Sequence, residues 1–174
     1  MMPAMSNPPI ALPAPSLWRR MCCFVYEGVL LFGVVMIAGW LFSTLTQQRH
    51  ALALRHELQF FLFLVLGVYF IWFWSHGGQT VAMKTWHVRI LTSEGKPVSE
   101  YRSALRYLLS WVWMLPGLAV GWWSGLGGAM LLLPLLLNIV GWALLAKAAP
   151  GGQFLHDLAA GTRLVDVQPA QLVK

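Results

Sequence analysis

"RRMCCFVYEGVLLFGVV", Arg19 to Val35, is apolar almost throughout after its two arginines, yet it holds a carboxylate, Glu27. A run of this kind, carried on to Ser43, matches the roughly 17 to 25 residues with which a helix crosses a bilayer. An isolated charge is costly in hydrocarbon, so Glu27 needs either a partner or a task. Arg19 and Arg20 ahead of an apolar run also suit a secretory signal. The run is longer than the usual 7 to roughly 15 residues of a signal core and no small-x-small cleavage site follows, which favours an uncleaved span.

Working outward, three more stretches have the same character: Leu58 to Trp74, Leu108 to Trp123 and Ala129 to Leu145. Only 10% of the 174 residues are charged and 58% are hydrophobic, whereas a soluble domain devotes about a quarter of its residues to charge. The expected fold is therefore all-α: a polytopic membrane protein with four transmembrane helices and a small cytoplasmic strand and helix insertion between spans 2 and 3. Residues 1–17, rich in Pro and Ala, read as a disordered tail, 18–168 as the transmembrane domain and 169–174 as a C-terminal tail.

Charge distribution orients the bundle. Arg19, Arg20, Lys84, Arg89, Lys96, Arg102, Arg106, Lys147, Arg163 and Lys174 fall on the side of the termini and central loop, against Arg49 and Arg55 on the other. The positive-inside rule then places both termini and the central loop on the cytoplasmic side. Trp18, Trp72 and Trp74 fall near the inner interface, and Trp40, Trp122 and Trp123 near the outer one, where indoles prefer to sit. The net charge of +6 is explained by topology, and no soluble basic face for nucleic acid is present.

The turn "SGLGG" makes a tight hairpin of spans 3 and 4. Gly117, Gly121 and Gly125 recur every four residues. Either they let a neighbouring backbone approach, or they reflect the general frequency of glycine in membrane helices. Pro116 and Pro134 are expected to bend their helices. In "TWHVRIL" Trp86, Val88 and Ile90 alternate with His87 and Arg89, the period of a short strand. "SEGKP" is a turn, and Ser99 N-caps a helix that puts Arg102 and Arg106 one turn apart. "QFLHDLAAG" is a short helix ended by Gly161, and "TRLVDV" alternates again, suited to pairing with the first strand.

Together "RRMCCFVYE", "GGQTVAMKTWHVRILTSEGKP", "ALRYLLS" and "FLHDLAAGTRLV" resemble the RDD family of bacterial membrane proteins, named for an arginine and two aspartates. The resemblance matches the arginine to Arg19 or Arg20, the first aspartate to Glu27 and the second to Asp157. Glutamate at the first aspartate position keeps the charge and adds one methylene of reach. For activity, the resemblance implies transport, with cation/proton exchange associated with some members.

Arg20 and Glu27 are seven residues apart, on nearly one helical face and about 10 Å apart along the axis. Three readings of the charges follow. In one, Glu27 pairs with Arg106, and Asp157 with Arg19, Arg20 or its own helix N-terminus. In another, Glu27 exchanges a proton for a cation beside Asn138. In the third, Glu27 snorkels to the interface. His156 suits a proton relay or an interfacial hydrogen bond. The remaining histidines show no metal-ligand spacing, and Cys22 and Cys23 are adjacent, which suits neither a disulfide nor a metal cluster. There is no HExxH, GxSxG or P-loop, hence no sign of an enzyme and no cofactor. The expected site is Arg19, Arg20, Glu27, Arg106, Asn138, His156 and Asp157, handling ions or small solutes, with the bilayer, a second copy of the chain and anionic lipid at the cytoplasmic face as partners. The alternative is a non-transporting scaffold that docks a partner through the central loop.

Overall fold

The computed structural model describes residues 12–47, 54–149 and 152–167. Four helical segments are long and apolar enough to cross a bilayer: α1 (Leu17–Leu45), α2 (Arg55–Ser75), a segment over Glu100–Trp123, and one over Gly128–Ala148. Most of their ends reach beyond the apolar stretches read from composition, furthest at the third span, which starts at Glu100, while its other end stays at Trp123. Few of their side chains are buried; the apolar coat belongs against lipid. Arg49, His50 and Lys174, and residues 1–11 and 169–174 of the two expected tails, lie outside the described residues.

Between spans 2 and 3 the chain forms the short helix α3 (Val81–Thr85) and strand β1 (Val88–Thr92). After span 4 come α7 (Leu155–Ala159) and β2 (Thr162–Asp166). The strands pair antiparallel, with Val88 opposite Asp166 and Thr92 opposite Thr162. Val88, Ile90 and Leu164 are buried, so the alternation seen in both segments marks one packed face. The sheet closes one end of the bundle, the sheet end.

The third span is two helices. Ser99 caps α4 (Glu100–Val112), and the chain breaks at Trp113 and Met114 before α5 (Leu115–Trp123). Pro116 stands in the first turn of α5, where its missing N–H costs nothing. Pro134 takes the same kind of place early in α6 (Leu132–Ala148), which follows a single 3₁₀ turn at Gly128–Leu131. It therefore starts a helix, whereas a bend within one was expected. Gly117 and Gly121 are buried against the fourth span, and a Cβ on Gly117 would stand 3.0 Å from that of Asn138. Gly125, at φ +63, belongs to the turn.

Two expectations are corrected at the sheet end. Residues 12–16 are part of the fold: Pro15 is fully buried, the Pro13 carbonyl accepts from the Asp166 N–H at 2.8 Å, and the Ser16 hydroxyl caps α1 by accepting from the Arg19 N–H. Prolines here suit an extended segment laid beside β2, where the ordering cost is already reduced. Trp74 does not anchor at an interface; it is buried beneath the Arg106 guanidinium, 4.2 Å from ring centroid to Cζ.

Helix α1 packs along α2 and α3, while α2 packs along α4. A cavity of about 450 Å³ fills the gap left between α1 and the α4–α5 arm. It is bridged by the edge-on contact of Phe24 with Trp113, at 5.5 Å between ring centroids.

Candidate functional site

Four carboxylates and arginines near the sheet end sort into distinct pairs. Arg106, one turn beyond Arg102 on α4, reaches Asp157 on α7: Nε lies 2.8 Å and Nη2 2.6 Å from Oδ1. Both residues are buried, and Asp157 is 0% exposed. The cation–π contact with Trp74 completes the surroundings of the guanidinium. Arg19 pairs with Asp166 of β2 and also donates to the Trp86 carbonyl, which ties the start of α1 to the sheet.

Arg20, buried, donates from Nε to the Pro15 carbonyl at 2.9 Å and from Nη1 to the Gly152 carbonyl, with its guanidinium 5.5 Å from the Phe154 ring centroid. Asp157 is thus paired to Arg106, where Arg19, Arg20 or its own helix was expected. The strand pairing draws α7 against α4, and that proximity decides the partner.

Glu27 is 8% exposed and takes part in none of the ion pairs among the described residues. The expected Glu27–Arg106 pair is absent, because Arg106 is spent on Asp157. The Tyr69 hydroxyl on α2 donates to Oε1 at 2.7 Å, and the Thr80 hydroxyl donates to Oε2. Thr80 also N-caps α3, accepting from the Met83 N–H. It is delivered there by the turn at Gly78, whose φ of +71 and 2.5 Å clearance between a Cβ and the Ile90 carbonyl admit only glycine comfortably. Two charge-assisted hydrogen bonds hold the carboxylate at a defined place on the cavity wall.

His156 sits between the clusters. Its ring stacks on Phe154 at 5.5 Å with 10° between planes, and Nε2 is 3.5 Å from Asp157 Oδ1. Burial pushes its pKa down to about 4; nearby Arg106 adds to this while Asp157 opposes it. The imidazole is therefore neutral near pH 7. Asn138 is no neighbour of Glu27: its amide donates to the Trp113 carbonyl at 2.9 Å, at the α4–α5 break, and accepts from Trp142 Nε1 at 3.2 Å. It secures the helix break and does not line the cavity.

Of the expected residues, Arg20, Glu27, Arg106 and His156 line one cavity, with Asp157 directly behind Arg106; Arg19 and Asn138 stand apart. Tyr69, Thr80 and Asp166 were missed. The first two are neutral hydroxyls without a charge signature, although Thr80 ends the quoted "GGQT". Asp166 is the acid of the alternating "TRLVDV". Among the described residues no group of His, Cys, Asp and Glu is placed to hold a metal ion.

Nothing among curated proteins or solved structures matches significantly. The profile of the RDD family matches residues 14–161, from the segment that caps α1 to the glycine that ends α7. The chain belongs to the RDD family, and it is a membrane protein by its four apolar spans.

Proposed function

We propose that this protein exchanges protons for cations, with Glu27 as the group that carries each in turn. The observation that carries this reading is the environment of Glu27: a buried carboxylate on a cavity wall, held by two hydroxyl donors and matched by no cationic side chain among the described residues. A permanent ion pair would fix its charge, whereas hydroxyl donors leave room for a proton or a cation to compensate it. The protein sits in the bacterial inner membrane with the sheet end cytoplasmic, which the excess of Lys and Arg there supports. Four helices wall a transmembrane path thinly, so the working unit is a homo-oligomer.

The test is Glu27→Gln in proteoliposomes holding an internal pH indicator, with an imposed cation gradient. Wild-type protein moves protons when the gradient is applied; the variant, still folded by its melting profile, does not. Full proton movement in the Gln variant ends the proposal.

A scaffold role is the second reading, favoured by the Arg106–Asp157 and Arg19–Asp166 contacts, in which each charge is already committed to joining elements. On that reading the exposed Lys84 and Lys96 of the central segment face anionic lipid or a partner. Wild-type protein without any ion movement, with the Gln variant merely less stable, favours it.

A further inference from the structure

We infer that the cavity between α1 and the α4–α5 arm takes a lipophilic organic cation, with its charge set against Glu27 and its apolar body against aromatic walls. The inference rests on the reading of Glu27 as the cation-accepting acid and adds the class of cation.

Size is the first argument. A volume of about 450 Å³ falls in the 300 to roughly 1,000 Å³ range of small-molecule sites, far beyond the needs of a bare metal ion. Composition is the second. A stripped inorganic cation requires a shell of about six oxygens, and the wall has few to give. Thr80 donates to Glu27, Tyr107 donates to the Phe63 carbonyl at 2.7 Å, and Ser110 donates to the Tyr107 carbonyl at 2.7 Å. What the wall offers instead is rings: Phe24, Phe70, Trp111 and Trp113 line it. Aromatic faces attract a diffuse cation without replacing a hydration shell, and one carboxylate at the end supplies the counter-charge.

Arginine chemistry is the counterweight. Arg20 and Arg106 also line the cavity, so an anion is the rival ligand. Arg106 is already matched by Asp157, and Arg20 is directed at the Pro15 and Gly152 carbonyls, away from Glu27's pair of hydroxyls. Arg20 makes no ion pair among the described residues either, but two carbonyl oxygens and the Phe154 ring already meet its charge, whereas Glu27 has hydroxyl donors alone; the carboxylate therefore decides in favour of a cation.

The experiment compares two probes of nearly equal shape and opposite charge, tetraphenylphosphonium and tetraphenylborate. Their equilibrium binding to full-length protein is measured in detergent micelles, with protein-free micelles subtracted. Wild type is expected to bind the phosphonium at least tenfold more tightly than the borate. Glu27→Gln should remove that preference, Glu27→Asp should keep it within a few fold, and Trp113→Leu should weaken the phosphonium severalfold. Equal binding of the two ions by wild type overturns the inference without recourse to any variant, as does a preference unchanged in Glu27→Gln. If sodium or potassium drives Glu27-dependent proton movement and the phosphonium does not bind, the organic cation is refuted while exchange stands. Glu27-dependent phosphonium binding without ion-driven flux sustains the inference and removes exchange.

Discussion

Arg106 addresses Asp157 with two nitrogens, and both meet the same oxygen, Oδ1, while Oδ2 has no hydrogen-bond partner among the described residues. This is a one-sided grip between the third span and the helix that follows the fourth. Its strength comes from burial and charge more than from a symmetric fork. The pair fastens the sheet end to α4 beside the cavity wall, so Asp157 and Glu27 divide their roles: Asp157 neutralises an arginine and Glu27 does not.

Removing one member of this pair should cost far more than removing both. Asp157→Asn leaves the Arg106 charge buried and unmatched, a loss of about 3 to 5 kcal/mol, and should lower the unfolding midpoint of the detergent-solubilised protein markedly. The combined Arg106→Leu and Asp157→Leu variant removes both buried charges and should melt between that variant and wild type. A single Asn variant with the wild-type midpoint would show that the pair is not what holds α7 to α4.

Thr80 should matter more to stability than Tyr69, although each donates one hydrogen bond to Glu27. A bond to a charged acceptor contributes about 1.5 to 3 kcal/mol, and Thr80→Val also removes the N-cap of α3, worth about 1 kcal/mol. Tyr69→Phe loses only the bond to Oε1. Chemical denaturation should therefore rank Thr80→Val least stable, Tyr69→Phe intermediate, and Thr80→Ser close to wild type. A Ser variant as unstable as Val would shift the explanation from the hydroxyl to the methyl group.

How much of this was legible in the primary structure depends on the kind of interaction. The spans follow from apolar runs of bilayer length, and both strands from period-two alternation, because these are local signals. The pairing of Val88 with Asp166 follows less directly, yet the two alternating segments were the only candidates for each other. Ion pairs were not legible. Helical depth alone points Arg106 to Glu27 and leaves Asp157 to Arg19, Arg20 or its own helix, whereas the actual partner is set by strand pairing, which carries α7 across to α4. Tyr69 and Thr80 were invisible for another reason: neutral hydroxyls are common, and only the fold shows which two converge on an acid.

Acid should destabilise the protein through His156. Its pKa is about 6.5 in the unfolded chain and about 4 in the fold, so between these values the unfolded state binds more protons. Stability from this group is fully present above about pH 6.5 and is lost progressively as pH falls toward 4. The loss amounts to on the order of 3 kcal/mol. His156→Phe keeps an aromatic ring over Phe154 but cannot titrate. Melting curves of wild type and variant from pH 7.5 to about pH 4 should differ most in their slope across this window, with the steeper fall in wild type. Parallel curves would mean that the imidazole is not held neutral by burial.

Two glycines on the same face of α5 should respond differently to the same substitution. At Gly121 a Cβ would overlap Leu131 Cδ2, the far end of a flexible side chain that can turn aside. At Gly117 a Cβ would meet Asn138 Cβ at 3.0 Å and the Pro134 carbonyl at 3.2 Å, and neither can move unless α6 moves. A shift of α6 would also pull the Asn138 amide from the Trp113 carbonyl at the helix break, exposing an acceptor that lipid cannot satisfy. Gly117→Ala is therefore expected to cost about 1 to 3 kcal/mol, the range for overpacking, and Gly121→Ala less. Cysteine pairs placed across α5 and α6 would report the separation directly: slower cross-linking in Gly117→Ala and unchanged cross-linking in Gly121→Ala is the expected outcome. The reverse order would place the close helix contact one turn nearer the hairpin.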